Sequence, residues 1–189
     1  MPNIVLDRFA TELCRDLLSA FALDQGYQSG VFVAAGKNAA LQALFLDALE
    51  DCLLGSGAKV VRLCASEFSG SDVLERVTAA AGAQTRVGGR ERQSNDLNDL
   101  ILHITNGGTA LVMLIENVDA WADSREGIRT LRALKACRDA TNLALGSRAK
   151  LLIVGTGSST RLADLTQDSA QAFYGAISLT LPVPDDPFS

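Results

Sequence analysis

Aromatic residues supply only 5% of the 189-residue chain, and histidine occurs once, at His103. A core of this composition is aliphatic, with the abundant Ala and Leu filling the space where helices approach a sheet. The four cysteines, Cys14, Cys52, Cys64 and Cys137, stand far apart with no CxxC pair. With a single histidine, that spacing argues against a zinc site, and reduced thiols packed as small hydrophobes are expected instead. No apolar run reaches the roughly 18 residues that a membrane-spanning helix needs. The N-terminus lacks the basic, apolar and small-residue segments of a secretion signal. A cytoplasmic chain without membrane contact is the expectation. The net charge of −5 argues against a surface coated with phosphate-binding side chains.

What is present is periodic. Val5, Leu6, Phe9, Leu13, Leu17 and Phe21 recur at helical spacing, predicting an N-terminal helix over residues 1–24. The short run Val31-Phe32-Val33 reads as a first strand. A long helix follows, with Leu41, Leu44, Phe45, Ala48, Leu49, Cys52 and Leu53 on one face. Lys59 to Cys64 reads as a second strand, and Ser69 with Asp72 as a capping box for a helix through Val77 and Ala80. A further helix carries Leu97, Leu100, Ile101 and Ile104. Thr109 to Ile115 is almost uniformly apolar, as in a strand buried on both faces of a parallel sheet. A helix with Ile128, Leu131, Leu134, Cys137 and Leu143 follows. Lys150 to Val154 is a fourth strand, leading to a short helix near Arg161 to Ala170. Ile177 to Leu181 is a fifth strand before a proline-rich tail. Strands alternating with helices predict a three-layer α/β sandwich around a mainly parallel five-stranded sheet, as one domain over residues 1–189 with its sheet core over 30–184.

Ligands of such sheets bind at the carboxyl ends of the strands. Three ends are informative. Gly36-Lys37-Asn38 follows the first strand and opens a helix, where backbone N–H groups and a lysine hold phosphates. The full motif G-x-x-x-x-G-K-[ST] has Val31 at its first glycine and Asn38 at its hydroxyl position; an ordinary strand–helix turn is the other reading. Glu116-Asn117-Val118-Asp119 follows the most apolar strand. An acid there suits a magnesium ion, while Asn117 stands where an acid would activate water and cannot take its proton. Equally, Glu116 and Asp119 serve as turn residues. Gly155-Thr156-Gly157-Ser158-Ser159 offers hydroxyls to a γ-phosphate, or makes a turn.

From Gly30 to Pro184 these pieces together resemble the ASCE-type P-loop ATPases of the AAA+ group, notably its initiator-like and transposition-type bacterial members. The similarity lies in LVMLIENVDAW (Leu111 to Trp121), LRALKACRDATN (Leu131 to Asn142), LLIVGTGSSTRLADL (Leu151 to Leu165) and QAFYGA (Gln171 to Ala176). It implies that Lys37 matches the Walker A lysine, with Gly36, Asn38 and Ala39 beside it at the nucleotide. It implies Glu116, with Asn38, at the metal, Asn117 in place of the catalytic glutamate, Thr156 or Ser158 as sensor 1, and Arg161 as a trans-acting arginine. ATP and magnesium are the implied cofactors. A shortened Walker A loop, the amide at Asn117 and no helical lid after the last strand predict a weakly or non-hydrolysing pseudo-ATPase, with weak or absent nucleotide binding. A regulatory or assembly role with a protein partner or a second copy is then expected. The alternative is an active ATP-binding protein acting on DNA or in complex assembly. Any nucleic-acid contact runs through the loop of residues 86–92, with Arg86, Arg90 and Arg92; a solvated surface loop is the plainer reading. Deleting 86–92 is expected to leave a cooperative melt.

Overall fold

The structure, a computed structural model, describes residues 4–22, 31–35, 39–67, 77–79, 97–105, 110–142, 150–167 and 173–182. Helix α1 (Ile4–Ala22) places Leu6, Ala10, Leu13, Cys14 and Leu17 in the core at helical spacing. Val5, expected on that face, is exposed. Strand β1 spans Val31–Ala35, two residues longer than the apolar run alone predicts. Helix α2 (Ala39–Gly55) buries Leu41, Gln42, Phe45, Leu46, Leu49 and Leu53. Leu44 is 52% exposed, against expectation. The helix is leucine-rich around its whole circumference, so sequence spacing alone does not say which stripe meets the sheet.

Strand β2 (Lys59–Cys64) follows, as predicted, and Ala65–Glu67 form a 3-10 turn. Residues 77–79 are helical. The proposed cap residues Ser69 and Asp72 lie outside the described residues, as does the arginine loop 86–92. Helix α3 (Leu97–Thr105) buries all four residues expected of it. Strand β3 (Ala110–Glu116) ends on its acid, and a 3-10 segment, Val118–Asp123, leads into helix α4 (Arg125–Asn142). Strand β4 runs from Lys150 to Gly157. The apolar run predicts an end at Val154; the strand instead continues through Gly155 and Gly157, neither of which has open space where a Cβ would stand. An added Cβ would come within 2.6 Å of the Phe173 ring at Gly155 and of Asp119 Oδ1 at Gly157. Helix α5 (Ser159–Gln167) and the short strand β5 (Ile177–Thr180) complete the described elements.

The five strands form one sheet in the order β2-β3-β4-β1-β5, and every neighbouring pair is parallel. Alternate side chains of each strand point to opposite faces. Val60, Val112, Leu114, Leu152 and Val154 pack beneath α1 and α2. Val61, Leu63, Leu111, Met113, Ile115, Leu151 and Ile153 pack against α3, α4 and α5. The chain leaves β1 through α2 on one face and reaches β2 at the far edge. It leaves β4 through α5 on the other face and reaches β5 at the opposite edge. Adjacent strands β1 and β4 thus send their connections in opposite directions, the arrangement at whose carboxyl ends ligands of parallel sheets bind.

Candidate functional site at the carboxyl edge

Register fixes what meets at that edge. Ala34 pairs with Thr156, and Ala35 with Gly157. Ile115 pairs with Gly155, and Glu116 with Cys64. Glu116 stands two residues beyond Leu114, and Thr156 two beyond Val154, so both point to the face covered by α2. The two strand-end positions singled out from sequence therefore share one edge and one face. Gly36, Lys37 and Asn38 lie outside the described residues, in the stretch 36–38 between Ala35 and the exposed Ala39 that begins α2. Val31–Ala35, the positions from which a full phosphate-loop motif would arch, are paired with β4 along their whole length.

Glu116 is engaged. Its Oε2 lies 3.6 Å from Nη2 of Arg62, and its side chain is 17% exposed. The Arg62 guanidinium also donates to Asp47 and, at 3.2 Å, to Glu50, both on α2. Burial works against the Arg62 charge, but the hydrogen bonds and charges of Asp47 and Glu50 outweigh it and raise its pKa. One cation is thus shared by three carboxylates from α2 and β3. Sequence reading passed over Arg62, although a charge among the apolar residues of KVVRLC was the available signal.

Asn117 adopts the left-handed conformation (φ 52°, ψ 43°), which asparagine tolerates better than most residues. This turns the chain out of β3, and its carbonyl accepts from Ala120 N at 2.9 Å. Among the described residues, its side-chain amide reaches the Cys64 sulfur, at 4.0 Å. Asp119 reaches across to β4, where its Oδ2 accepts from Ser158 N at 3.2 Å and Ser158 Oγ at 2.9 Å. That carboxylate sits at the start of α5, where backbone N–H groups have no partner within the helix. Asp119 thus ties the turn after β3 to Ser158, the residue that precedes α5.

Thr156 is fully buried, and its Oγ1 has no hydrogen-bond partner among the described residues. Beside it, Gln42 of α2 donates to the carbonyl of Gly157 at 3.3 Å, an anchor that sequence reading missed. Arg161 lies in the first turn of α5, and its side chain is outside the described residues.

No protein-family model matches the chain, and no curated protein matches it. Solved structures do. Cdc6p from Pyrobaculum aerophilum is similar at TM-score 0.62 and 14% identity over 90% of this chain and 44% of its own. The Aeropyrum pernix ORC2 protein, in ADPNP and ADP complexes, gives 0.64 and 14% over 92% and 47%. The Aeropyrum pernix ORC1 protein, in complex with DNA, gives 0.57 and 16% over 96% and 46%. The chain thus spans less than half the length of each of these structures. At such identity the likeness is one of fold alone: the chain shares the α/β architecture, built on a parallel sheet, of these structures.

Proposed function

We propose that this domain keeps the AAA+ architecture as a regulatory or assembly module and has lost the means to hydrolyse ATP. The observation that supports this most directly is the pairing of β1 through Ala35, which leaves only residues 36–38 to connect strand and helix. A phosphate loop needs backbone N–H groups arched around the anion ahead of its lysine, and paired strand residues cannot supply that arch. The residues present do not fit a hydrolytic magnesium–nucleotide centre either. The Glu116 carboxylate is held by Arg62. Asn117 offers an amide where a proton acceptor is needed. Removing a metal-binding group or a water-activating acid each takes several kcal/mol from transition-state stabilisation. The partner is a protein or a second copy of the chain, in the cytoplasm.

Calorimetric titration of the chain with magnesium and ATP tests the reading. No saturable heat is expected at millimolar nucleotide. A micromolar dissociation constant that Lys37→Ala removes would support an active ATP-binding protein instead. The observation favouring that second reading is the Thr156 hydroxyl at the carboxyl edge, which has no partner among the described residues and has the chemistry to meet a phosphate oxygen or a water. The likeness to structures holding ADPNP, ADP or DNA agrees with either reading.

A further inference from the structure

Two helices on opposite faces of the sheet carry opposite charge. Helix α2 has three acidic residues, Asp47, Glu50 and Asp51, and no basic one. Helix α4 has five basic residues against Glu126 and Asp139, in a chain of net charge −5. On α2 an exposed stripe runs through Leu44, Asp47, Asp51 and Leu54, and each leucine is 52% exposed. On α4 an exposed stripe runs through Arg125, Arg129, Arg132 and Ala136. Steps of three and four residues keep each set on one side of its helix, over a length of about 15 Å. The other side of each helix is buried: Phe45, Leu49 and Leu53 of α2 lie in one core, and Leu131, Leu134 and Cys137 of α4 in the other. The stripes therefore face outward on opposite sides of the three-layer sandwich. Their charges are only partly balanced within the chain. Asp47 and Glu50 share Arg62 with Glu116, one cation among three carboxylates. Arg129 lies 3.5 Å from Glu126 yet stays 66% exposed. Among the described residues, Asp51, Arg125 and Arg132 form no ion pair.

We propose that the chain associates head to tail with further copies of itself, the acidic face of α2 in one copy seated on the arginine face of α4 in the next. This rests on the assembly reading above and gives it a partner. Each face finds its complement on the same molecule. Pairing like with like would set carboxylates against carboxylates or arginines against arginines, which costs free energy, so the contact joins unlike faces. Leu44 and Leu54 supply apolar area beside the acids, and the arginine stems can cover it while their guanidinium groups meet Asp47 and Asp51. Because the two faces lie on opposite sides, every added copy leaves one of each open. Association therefore continues beyond two chains.

Analytical ultracentrifugation of the full chain, from micromolar to near-millimolar concentration, tests this. At low salt the average mass is expected to climb past that of two 19.9 kDa chains. At about 0.5 M salt, where exposed charges are screened, it should fall back toward a single chain. The double variant Arg129→Ala, Arg132→Ala should lose association, and so should Asp51→Ala, Leu54→Ala. Each variant keeps one face intact, so a mixture of the two should form a complex of two chains and stop there. All four positions are exposed; should one variant fail to fold, the other and the salt series carry the test. A single-chain mass at every concentration, a dimer that grows no further, or association that survives both variants would overturn the proposal. So would a single-chain mass with binding of a DNA duplex that the arginine variant loses, which would give the α4 face to nucleic acid. Failure of the underlying reading looks different. Saturable binding of magnesium and ATP would remove that reading, whereas association that survives both variants leaves it standing on another surface.

Discussion

One glycine of β4 and one of α2 make opposite predictions from the same substitution. Phe173, over Gly155, is fully buried and has nowhere to move. Gly155→Ala is therefore expected to cost about 1–3 kcal/mol through overpacking. An added Cβ at Gly55 meets nothing within 4 Å. Gly55→Ala should stabilise by up to about 1 kcal/mol through the lower entropy of the unfolded chain. Urea unfolding of the pair checks both signs. Thr156 gives a third case. Its buried hydroxyl has no partner among the described residues and so loses its hydration without return; Thr156→Val should be neutral or stabilising by about 1 kcal/mol. A clear loss of stability in that variant would mean that the hydroxyl is satisfied in the folded protein after all. Sequence placed Thr156 correctly at a strand end and missed that it belongs to the strand. What glycine tolerates is decided by tertiary neighbours, here Phe173 and Asp119, which local pattern does not reveal.

At the level of elements, Arg62 joins β2, α2 and β3 in one ion network. Arg62→Ala leaves Asp47, Glu50 and Glu116 without their shared cation. The expected cost is roughly 1–3 kcal/mol, smaller at high salt because the network is partly exposed. Denaturant midpoints at low and high ionic strength measure it. In α4, burial would raise the Asp139 pKa, but hydrogen bonds and charges from Lys135 and Arg138 hold it below the ordinary value of 3.8. A carboxyl depressed on folding contributes stability that is complete above its unfolded pKa and fades as pH falls through the folded one. Asp139→Asn should therefore flatten the decline of stability below about pH 4, as read from Tm against pH; an unchanged slope would contradict the pairing. The helices and strands themselves were legible where period and burial agree, as in Leu97, Leu100, Ile101 and Ile104 of α3, or in the unbroken apolar run of β3. They were less so in α2, where leucines surround the helix and Leu46 rather than Leu44 turned inward. The 3-10 segment at Val118–Asp123 was not legible, because its anchor, the buried Trp121, is fixed by contacts with distant elements.

For the whole molecule, the order β2-β3-β4-β1-β5 carries the functional argument. Strand alternation predicted the parallel sheet, but the order of strands came only with the structure, and that order makes β1 and β4 neighbours whose connections leave in opposite directions. Glu116 and Thr156 were placed on that edge by sequence, and they do share it. Arg62 and Gln42, which determine what those residues can do, left only faint traces in the chain. The domain thus shares the fold of the structures it resembles, while its Glu116 carboxylate is tied to Arg62 and β1 stays paired through Ala35. Phosphate release from ATP in the presence of magnesium tests this most directly, measured on the chain beside its Lys37→Ala variant. The account predicts that both release phosphate at the rate of a protein-free blank. Magnesium-dependent release by the unaltered chain, abolished in the variant, would contradict it.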